Sequence, residues 1–391
     1  MDELLNPYRP GAGTRPPALI GRDDLIDNFG VNLRRALAGR PGKSLMPVGL
    51  RGVGKTVLLN RFREIAEDEG LEVAFIEAPE TGEFRRLLAS RLRTVLLHLD
   101  RGPVERLVRR ALGVLKSFTL QFPDGTAFTL EVDAIAGEGD SGDLAADLTD
   151  VLVAAGQAAR ARMTGILLAV DEVQYLTRDE LSALIAAIHR TNQLDLPIVL
   201  VGAGLPQLPA LAGEAKSYAE RLFEFPFISS LSPADSAAAL AVPAGDAGVE
   251  YTQGALTTIV AAAQGYPYFL QEWGYRVWNQ ADASPIAKSD VMTAAPGVQE
   301  RLDENFFAVR FDRLTPMEKR YLRAMAELGP GPHRSGDVAA VLGVRVESVA
   351  PRRSGLIAKG MIYSPAHGDT AFTVPLFDEF LRRVMPAGST T

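Results

Sequence analysis

The chain has 391 residues, more than a single hydrophobic core usually supports, so its length predicts two or three domains. Hydrophobic residues make up 47% and charged residues 23% of the sequence, which is typical of globular proteins and does not favour a disordered chain. The absence of cysteine excludes disulfides and thiolate chemistry, and only four histidines are present, which disfavours a transition-metal site. A net charge of −7 argues against coating of nucleic acid by the whole surface, although a local basic face is compatible with it.

The distribution of apolar residues along the chain predicts the cellular location of the protein. Prolines and charges interrupt the first thirty residues, which contain no apolar stretch of the kind found in signal peptides. No apolar run reaches the roughly 18 residues needed to cross a bilayer. We therefore expect a cytoplasmic protein without a membrane partner.

The first part of the chain predicts a phosphate-binding turn. Residues 1–21 are rich in proline and glycine, which disfavours helix and predicts an extended arm. A helix is predicted over about 22–38, a short buried strand over 44–50, and a second helix over 56–69 from its 3.6-residue apolar period. A strand, a glycine turn and a helix in this order form the setting that a P-loop requires.

Further apolar runs predict the rest of a sheet. Residues 72–77, 166–170 and 197–202 read as strands separated by helical patterns. Fully apolar strands that alternate with helices indicate a parallel sheet covered on both faces. Alternating residues around Asp124-Gly125 also predict a β-hairpin insertion near 117–133, either a contact site or a satellite sheet edge.

The remaining chain predicts two smaller units. The region from about residue 233 to 296 is Ala-rich and periodic without strand signals, which indicates a small helical domain. From about residue 314 two helices joined by a glycine-containing turn precede two short apolar segments, 360–363 and 371–374. Helices followed by a short hairpin are typical of a winged helix-turn-helix.

A glycine-rich segment carries the first functional motif. Gly49, Gly54, Lys55 and Thr56 occupy the fixed positions of the Walker A pattern. The glycines let the backbone wrap around phosphate oxygens, Lys55 adds charge at the β- and γ-phosphates, and Thr56 offers its hydroxyl to Mg²⁺. The alternative is a glycine turn that matches by chance. The motif predicts a site for ATP and Mg²⁺ with contacts from Gly49, Gly52, Val53, Gly54, Lys55, Thr56 and Val57.

An acidic pair, Asp171-Glu172, carries the second motif. It ends an apolar strand, which places both carboxylates at the edge where open α/β sheets bind ligands. Such a pair is often only a solvated strand end, but here a Walker A segment precedes it. Asp171 is expected to hold Mg²⁺ through water and Glu172 to polarise the attacking water, so the sequence predicts a Mg-dependent ATPase.

These motifs, in this order of elements, resemble those of AAA+ ATPases, in particular the replication-initiator branch and the related signalling branch called STAND. The chain is also similar to a group of bacterial ATP-binding proteins that carry Gly-Ala-Gly-Leu-Pro and Gly-Tyr-Pro-Tyr-Phe-Leu-Gln, here residues 202–206 and 265–271. The resemblance covers nearly the whole chain. It implies an arm over residues 1–21, an α/β ATPase core over 22–230, a helical lid over 231–305 and a winged helix domain over 306–391.

The resemblance also implies contacts to the nucleotide base. The N-terminal arm would cover the adenine, and Tyr8, Leu19 and Ile20 have the apolar faces that such a contact needs. The alternative is a solvated leader, because Pro-rich arms are commonly unstructured. Pro267, in Gly-Tyr-Pro, resembles the lid proline that packs near the base in STAND proteins.

Arg221 occupies the position of a family arginine finger, which contacts the γ-phosphate of a neighbouring subunit in a homo-oligomer. A surface ion pair with Glu220 or Glu224 is the alternative. Two positions depart from the family pattern: Tyr268 stands near the place of a sensor arginine, and residues 202–204 lack a polar sensor. These departures argue against fast hydrolysis coupled to motion in the usual way, and they leave nucleotide binding intact.

The second helix of the predicted helix-turn-helix region is basic enough for several phosphate contacts and lacks the Asn and Gln pairs that read bases. Winged helices also bind proteins, and the predicted wing is not basic. Three functions follow: an ATP-driven switch that docks duplex DNA or assembles, a STAND-type signalling or defence ATPase with an unknown protein partner, and a passive nucleotide-binding scaffold. The candidate DNA-binding residues are Arg345, Arg352, Arg353 and Lys359.

Overall fold

The computed structural model describes residues 1–386 except 12, 81, 101–104, 123–131 and 367. Along the described chain an α/β core is followed by a helical lid and a C-terminal unit of helices and a small sheet. No helix in the described ranges is both long and apolar enough to span a membrane.

The core is built on a parallel sheet with the strand order β3-β4-β5-β1-β6, and a second parallel pair, β2-β7, continues beside it. All six residues of β4 are buried, and their side chains alternate between two apolar clusters on opposite faces of the sheet. The predicted parallel sheet covered by helices is confirmed. The strands are β1 Ser44–Leu45, β2 Val48–Gly49, β3 Glu72–Glu77, β4 Ile166–Asp171, β5 Ile198–Gly202, β6 Phe223–Glu224 and β7 Phe227–Ile228.

Helices cover both faces of this sheet. On one face α1 and α2 pack together, with the rings of Phe29 and Phe62 stacked at 4.3 Å between centroids. On the other face α3 to α6 form the larger apolar cluster. The core helices are α1 Asp23–Leu37, α2 Lys55–Asp68, α3 Phe84–Leu99, α4 Glu105–Leu120, α5 Leu144–Ala161, α6 Arg178–Gln193, α7 Leu208–Ala215 and α8 Ala219–Leu222.

The hairpin predicted near 117–133 needs correction. Helix α4 continues to Leu120, so the first predicted strand is wrong over residues 117–120. Val114, Leu115 and Phe118 are buried at helical spacing, and this face packs into the larger core cluster. The turn at residues 124–125 and most of the second predicted strand lie outside the described residues.

The lid is helical, as predicted. Its helix α11 receives the N-terminal arm, in which residues 3–5 form one 3-10 turn and the remaining described residues form no helix or strand. A π-helical turn over Asp303–Ala308 leads out of the lid. The helices of this region are α9 Pro233–Asp246, α10 Gln253–Ala263, α11 Pro267–Gln280, α12 Lys288–Leu302 and α13 Val309–Phe311.

The C-terminal unit follows the predicted order of helices and hairpin, with a three-stranded antiparallel sheet of order β8-β10-β9. Its core is continuous with that of the lid: Phe307 stacks on Phe380 at 5.3 Å and lies 5.3 Å from Phe306, edge to face. The elements are α14 Pro316–Leu328, β8 His333–Arg334, α15 Ser335–Leu342, α16 Val346–Ala358, β9 Ile362–Tyr363, β10 Asp369–Phe372 and α17 Phe377–Val384.

Candidate nucleotide site

The turn between β2 and α2 has the backbone geometry of a phosphate-binding loop. A Cβ at Gly49 would lie 2.3 Å from the carbonyl oxygen of Ile228, so only glycine fits there. Gly54 has a φ of 95°, which glycine adopts readily, and α2 begins at the next residue, Lys55. The N-terminal amides of α2 therefore face the space above the loop, where they favour an anion.

Lys55 is held at the floor of the site. Its Nζ donates hydrogen bonds to the carbonyl oxygens of Gly49 at 3.0 Å and Leu50 at 2.9 Å. Burial lowers the pKa of Lys55 to about 8, although the carboxylates of Glu172 and Asp171 act in the opposite direction. A partly desolvated ammonium group at this position is suited to bind phosphate oxygens.

Asp171 and Thr56 form the second part of the site. The Thr56 hydroxyl donates to Asp171 Oδ2 at 2.6 Å, and the backbone N–H of Glu172 donates to Asp171 Oδ1 at 2.9 Å. Burial raises the pKa of Asp171, and the hydrogen bond from Thr56 is the largest opposing effect. A hydroxyl and a carboxylate oxygen side by side are hard donors, and this pair fits Mg²⁺.

The described residues contain no cluster of three or more His, Cys, Asp or Glu side chains that could hold a metal ion. Mg²⁺ in nucleotide sites needs no such cluster, because one or two protein oxygens suffice where phosphates and waters complete the octahedron. The oxygens of Thr56 and Asp171 therefore form a donor pair that fits a metal ion at this site.

Glu172 lies beside this pair with a left-handed backbone at φ 52°. One of its carboxylate oxygens accepts a hydrogen bond from Gln174 Nε2, and the other lies 3.8 Å from Arg51 Nη1. Gln174 is fixed in turn, since its Oε1 accepts from the N–H of Leu205 at 3.0 Å. The carboxylate is thus oriented from two sides, and the sequence reasoning missed both neighbours.

A cavity of about 400 Å³ opens above these groups. Its volume lies within the range of ligand pockets in proteins. Four parts of the chain enclose it: the P-loop with Glu172, the arm, the start of α11, and the π-helical turn with α13. The predicted site residues that line it are Gly52, Gly54, Lys55, Thr56, Val57, Glu172 and Pro267.

A smaller apolar cavity of about 50 Å³ shares Val57 and Pro267 with the larger one. Leu19, Ile20 and Val53 contribute to its walls, together with residues of the lid. The structure therefore brings the predicted base contacts of the second half of the arm together with the predicted lid proline. The apolar walls of this slot suit the face of an aromatic ring.

Tyr8 lies elsewhere, so the predicted contact of Tyr8 with the base is wrong. It is buried within the lid core, where its hydroxyl donates to the carbonyl oxygen of Leu240 at 2.6 Å. Its ring packs against Gly274, where a Cβ would lie 2.6 Å from Tyr8 Cδ1. Because burial of a large aromatic side chain is strongly favourable, Tyr8 anchors the arm to the lid and lines neither cavity.

Arg310 is a pocket residue that the sequence reasoning missed. Its guanidinium lies over the ring of Phe306 at 4.2 Å and donates to the Phe306 carbonyl oxygen. Burial lowers the pKa of Arg310 to about 10, and the nearby cation Arg51 acts in the same direction. Tyr268, which stands near the place of a family sensor arginine, stacks on Phe306 at 4.8 Å. A cation thus enters the cavity from the segment after the lid, where no sequence motif marks it.

Arg221 lies in the short helix α8 and is exposed. Within the described part of the chain it forms no ion pair with Glu220 or Glu224, and it lines neither cavity of its own chain. An arginine finger acts on a neighbouring subunit, so this role stays a prediction.

The four candidate DNA-binding residues differ in their surroundings. Arg353 donates to Thr370 Oγ1 at 2.9 Å, to Ser364 Oγ at 2.8 Å and to the Asp369 carbonyl oxygen at 2.9 Å. Lys359 forms an ion pair with Glu318 at 2.7 Å. Arg345 is exposed, with its Nε 3.9 Å from Glu347, and Arg352 is half-buried. Two of the four side chains therefore hold the C-terminal unit together.

Two family models match parts of the chain. Residues 18–201 match the family described as the AAA ATPase domain, and residues 304–381 match a domain of unknown function, DUF8462. The first match spans the loop, the acidic pair and four of the five strands of the central sheet. Residues 18–201 therefore form an AAA ATPase domain, and this domain contains the P-loop.

Several solved structures resemble the chain at low identity. Cdc6p from Pyrobaculum aerophilum is 17% identical, with 98% of each chain covered and a TM-score of 0.49. The Aeropyrum pernix ORC1 protein, solved in complex with DNA, is 18% identical over 94% of each chain, with a TM-score of 0.46. The Thermotoga maritima RuvB Holliday junction branch migration motor is 18% identical over 91% of this chain and 95% of that chain, with a TM-score of 0.46.

No curated protein matches the chain. Structural similarity with identities of 17–18% and TM-scores of 0.46–0.49 carries no information about the ligands or partners of this chain.

Proposed function

We propose that the protein binds ATP with Mg²⁺, hydrolyses it, and uses the nucleotide state as a switch. One observation carries the proposal. The Thr56 hydroxyl and the Asp171 carboxylate meet at 2.6 Å beside Glu172, and Thr56, Lys55 and Glu172 line one cavity of about 400 Å³.

Each residue has a defined task in this reaction. The amides of the loop and the ammonium group of Lys55 bind the β- and γ-phosphates, for which Lys55 leaves the carbonyl oxygens of Gly49 and Leu50. Thr56 and Asp171 hold the metal ion, which when bound supplies charge neutralisation at the phosphates. Glu172 accepts a hydrogen bond from the attacking water and orients it toward the γ-phosphate.

The adenine base is proposed to bind in the smaller cavity. The apolar slot formed by Leu19, Ile20, Val53 and Pro267 receives the adenine, and the arm covers it. The arm also fixes the lid: the backbone N–H of Arg9 donates to Gln271 Oε1 at 3.1 Å. Binding of the nucleotide therefore engages the core, the arm and the lid together.

Glu172→Gln tests the hydrolytic role. The amide keeps the size of the side chain but is a poor acceptor for the proton of water, so we expect ATP binding to persist and turnover to fall about 100-fold or more. Glu77→Gln is the matched control, because Glu77 ends the neighbouring strand opposite Asp171 and lines neither cavity. Equal turnover of the wild type and Glu172→Gln would contradict the proposal.

The switch is the second part of the proposal. The cavity is enclosed by the core, the lid and the segment that leads into the C-terminal unit, so a bound nucleotide contacts all three. We propose that occupancy sets the angle between lid and core, and thereby controls docking of a partner by the C-terminal unit or assembly of a homo-oligomer in which Arg221 reaches the next subunit.

Two partners remain candidates for the C-terminal unit. A DNA-docking switch of the replication-initiator kind uses the basic face of α16. A STAND-type signalling ATPase acts through protein contacts, and this candidate is favoured by the internal hydrogen bonds of Arg353 and the ion pair of Lys359. Duplex DNA affinity with and without ATP at two salt concentrations separates them, because only phosphate contacts produce a steep salt dependence.

A further inference from the structure

Arg51, at a variable position of the P-loop, joins the ATPase core to the C-terminal unit. Its backbone N–H donates to the carbonyl oxygen of Thr373 at 3.0 Å, and its Nε donates to the carbonyl oxygen of Gly360 at 3.3 Å. On the core side, its Nη2 donates to the Tyr175 hydroxyl at 2.7 Å. Nη1 lies 3.8 Å from Glu172 Oε1. One side chain therefore spans from the C-terminal unit to the carboxylate that orients water.

On the C-terminal side of this contact, Gly360 and Thr373 pack closely against Arg51. Gly360 follows α16 with a φ of 64°, and a Cβ there would lie 2.6 Å from Arg51 Nη2. The fully buried Thr373 donates from its hydroxyl to the carbonyl oxygens of Gly360 at 2.6 Å and Met361 at 3.0 Å, which ties the two contacting segments together. Only a residue without a side chain permits Arg51 to approach this closely.

The core side of the contact restrains Glu172. Both side chains of the Arg51–Glu172 pair are about four-fifths buried, with 20% and 21% of their surface exposed, so water screens their attraction only in part. At 3.8 Å the guanidinium holds the carboxylate electrostatically and leaves Oε1 free to accept a hydrogen bond from water. Gln174 holds the other oxygen.

We infer that the C-terminal unit controls ATP hydrolysis in the same chain by setting the position of Arg51, which in turn positions Glu172. The inference rests on the proposed function. Arg51 is a positioning residue in this scheme. Residues 304–381 act on the ATPase site through the contacts of Gly360 and Thr373 with Arg51. Displacement of the C-terminal unit releases Arg51, and the carboxylate loses one of its two restraints.

Gly360→Ala tests the inference, with Gly343→Ala as a matched control. Gly343 also follows a helix of the same unit with a φ of 66°, but nothing lies within 4 Å of the position of its Cβ, so both variants carry the same backbone strain. Only the first displaces Arg51. We expect kcat of Gly360→Ala to fall about 10- to 100-fold relative to Gly343→Ala, a larger effect than any change in the ATP dissociation constant that follows from moving Arg51 in the cavity wall.

The outcomes separate the inference from the proposed function. If the wild type shows no hydrolysis that depends on Glu172, the proposed function fails. If the wild type hydrolyses ATP and the two alanine variants have equal kcat, the inference alone is overturned. A raised KM with unchanged kcat also overturns it, because the contact then serves binding.

A second variant covers the case in which Gly360→Ala does not fold or does not bind ATP. Tyr175→Phe removes the hydroxyl that accepts from Arg51 Nη2, adds no backbone strain, and changes no residue that lines the cavities. We expect its kcat to fall several-fold with unchanged ATP affinity, and unchanged kcat overturns the inference.

Discussion

Lys55 shows how burial tunes a single group for its ligand. Desolvation lowers the pKa of its ammonium group to about 8, whereas bound phosphates favour the charged form. At pH 7.5 most of the free protein already carries this proton, and at pH 9 most of it does not. ATP binding at pH 9 must therefore be coupled to proton uptake.

We expect the affinity of the wild type for ATP to fall several-fold between pH 7.5 and pH 9, measured by calorimetric titration. Arg310, with a pKa of about 10, stays largely protonated over this range. Lys55→Met serves as the control, since it has no proton to take up at this position and is expected to bind weakly at both values. An unchanged wild-type affinity would show that Lys55 does not titrate in this range.

Arg310 carries the second prediction for a single residue. A guanidinium in the nucleotide cavity is expected to form charge-assisted hydrogen bonds with phosphate oxygens, each worth about 1.5–3 kcal/mol. Arg310→Gln is therefore expected to weaken ATP binding about 10- to 100-fold, measured with a fluorescent nucleotide. Arg313→Gln is its control, because Arg313 is an exposed neighbour that lines neither cavity. Equal affinities of the two variants would remove Arg310 from the site.

The residues of the site were predictable to the extent that local geometry defines them. A phosphate loop needs glycine, lysine and threonine at fixed spacing on one turn, so Gly54, Lys55 and Thr56 could be found from the sequence alone. Arg310 could not, because it reaches the cavity only through the packing of the C-terminal segment against the lid. Tyr8 was misplaced for a related reason: an aromatic side chain suits both a base and a lid core, and only the fold decides between them.

At the level of the elements, the N-terminal arm has two halves with different roles. Residues 6–8 are fixed to the lid, where Asn6 Nδ2 donates to Asn279 Oδ1 at 2.6 Å and Tyr8 is buried. Most residues from Gly13 to Ile20 line the two cavities, and α1 then packs against the core. The arm therefore crosses from the lid to the core over the nucleotide site.

Tyr8→Ala is expected to destabilise the lid by about 3–5 kcal/mol, as for other truncations of buried aromatic rings. Tyr8→Phe keeps the ring and loses one buried hydrogen bond, at a cost of about 1 kcal/mol. Denaturant unfolding measures both changes. A Tyr8→Ala variant of normal stability that loses ATP affinity would restore the role of Tyr8 as a contact to the base.

Helix α4 shows why one element was predicted incorrectly. Its last residues alternate between apolar and polar side chains, and an Asp-Gly turn signal follows. This sequence is therefore compatible both with a strand and with the end of a helix. The helix is favoured because the side chains of Val114, Leu115 and Phe118, which share one helical face, are buried. The strands of the central sheet were easier to predict, because runs such as residues 166–170 are apolar on both faces and are too short for a buried helix.

At the scale of the whole molecule, the order of core, lid and C-terminal unit followed from changes in periodicity along the sequence. The contacts between these units did not, since no local pattern encodes them. Phe306 and Phe307 lie at the junction of the lid and the C-terminal unit, and their rings join the two cores. The contact of Arg51 with Gly360 and Thr373 adds a direct link from the C-terminal unit back to the P-loop.

The shared aromatic core has a mechanical consequence. Because the lid and the C-terminal unit are packed around one set of rings, a rotation of the lid against the core would carry the C-terminal unit with it. In the proposed switch, such a rotation would also change the contact of Gly360 with Arg51, so the nucleotide state and this contact would change together.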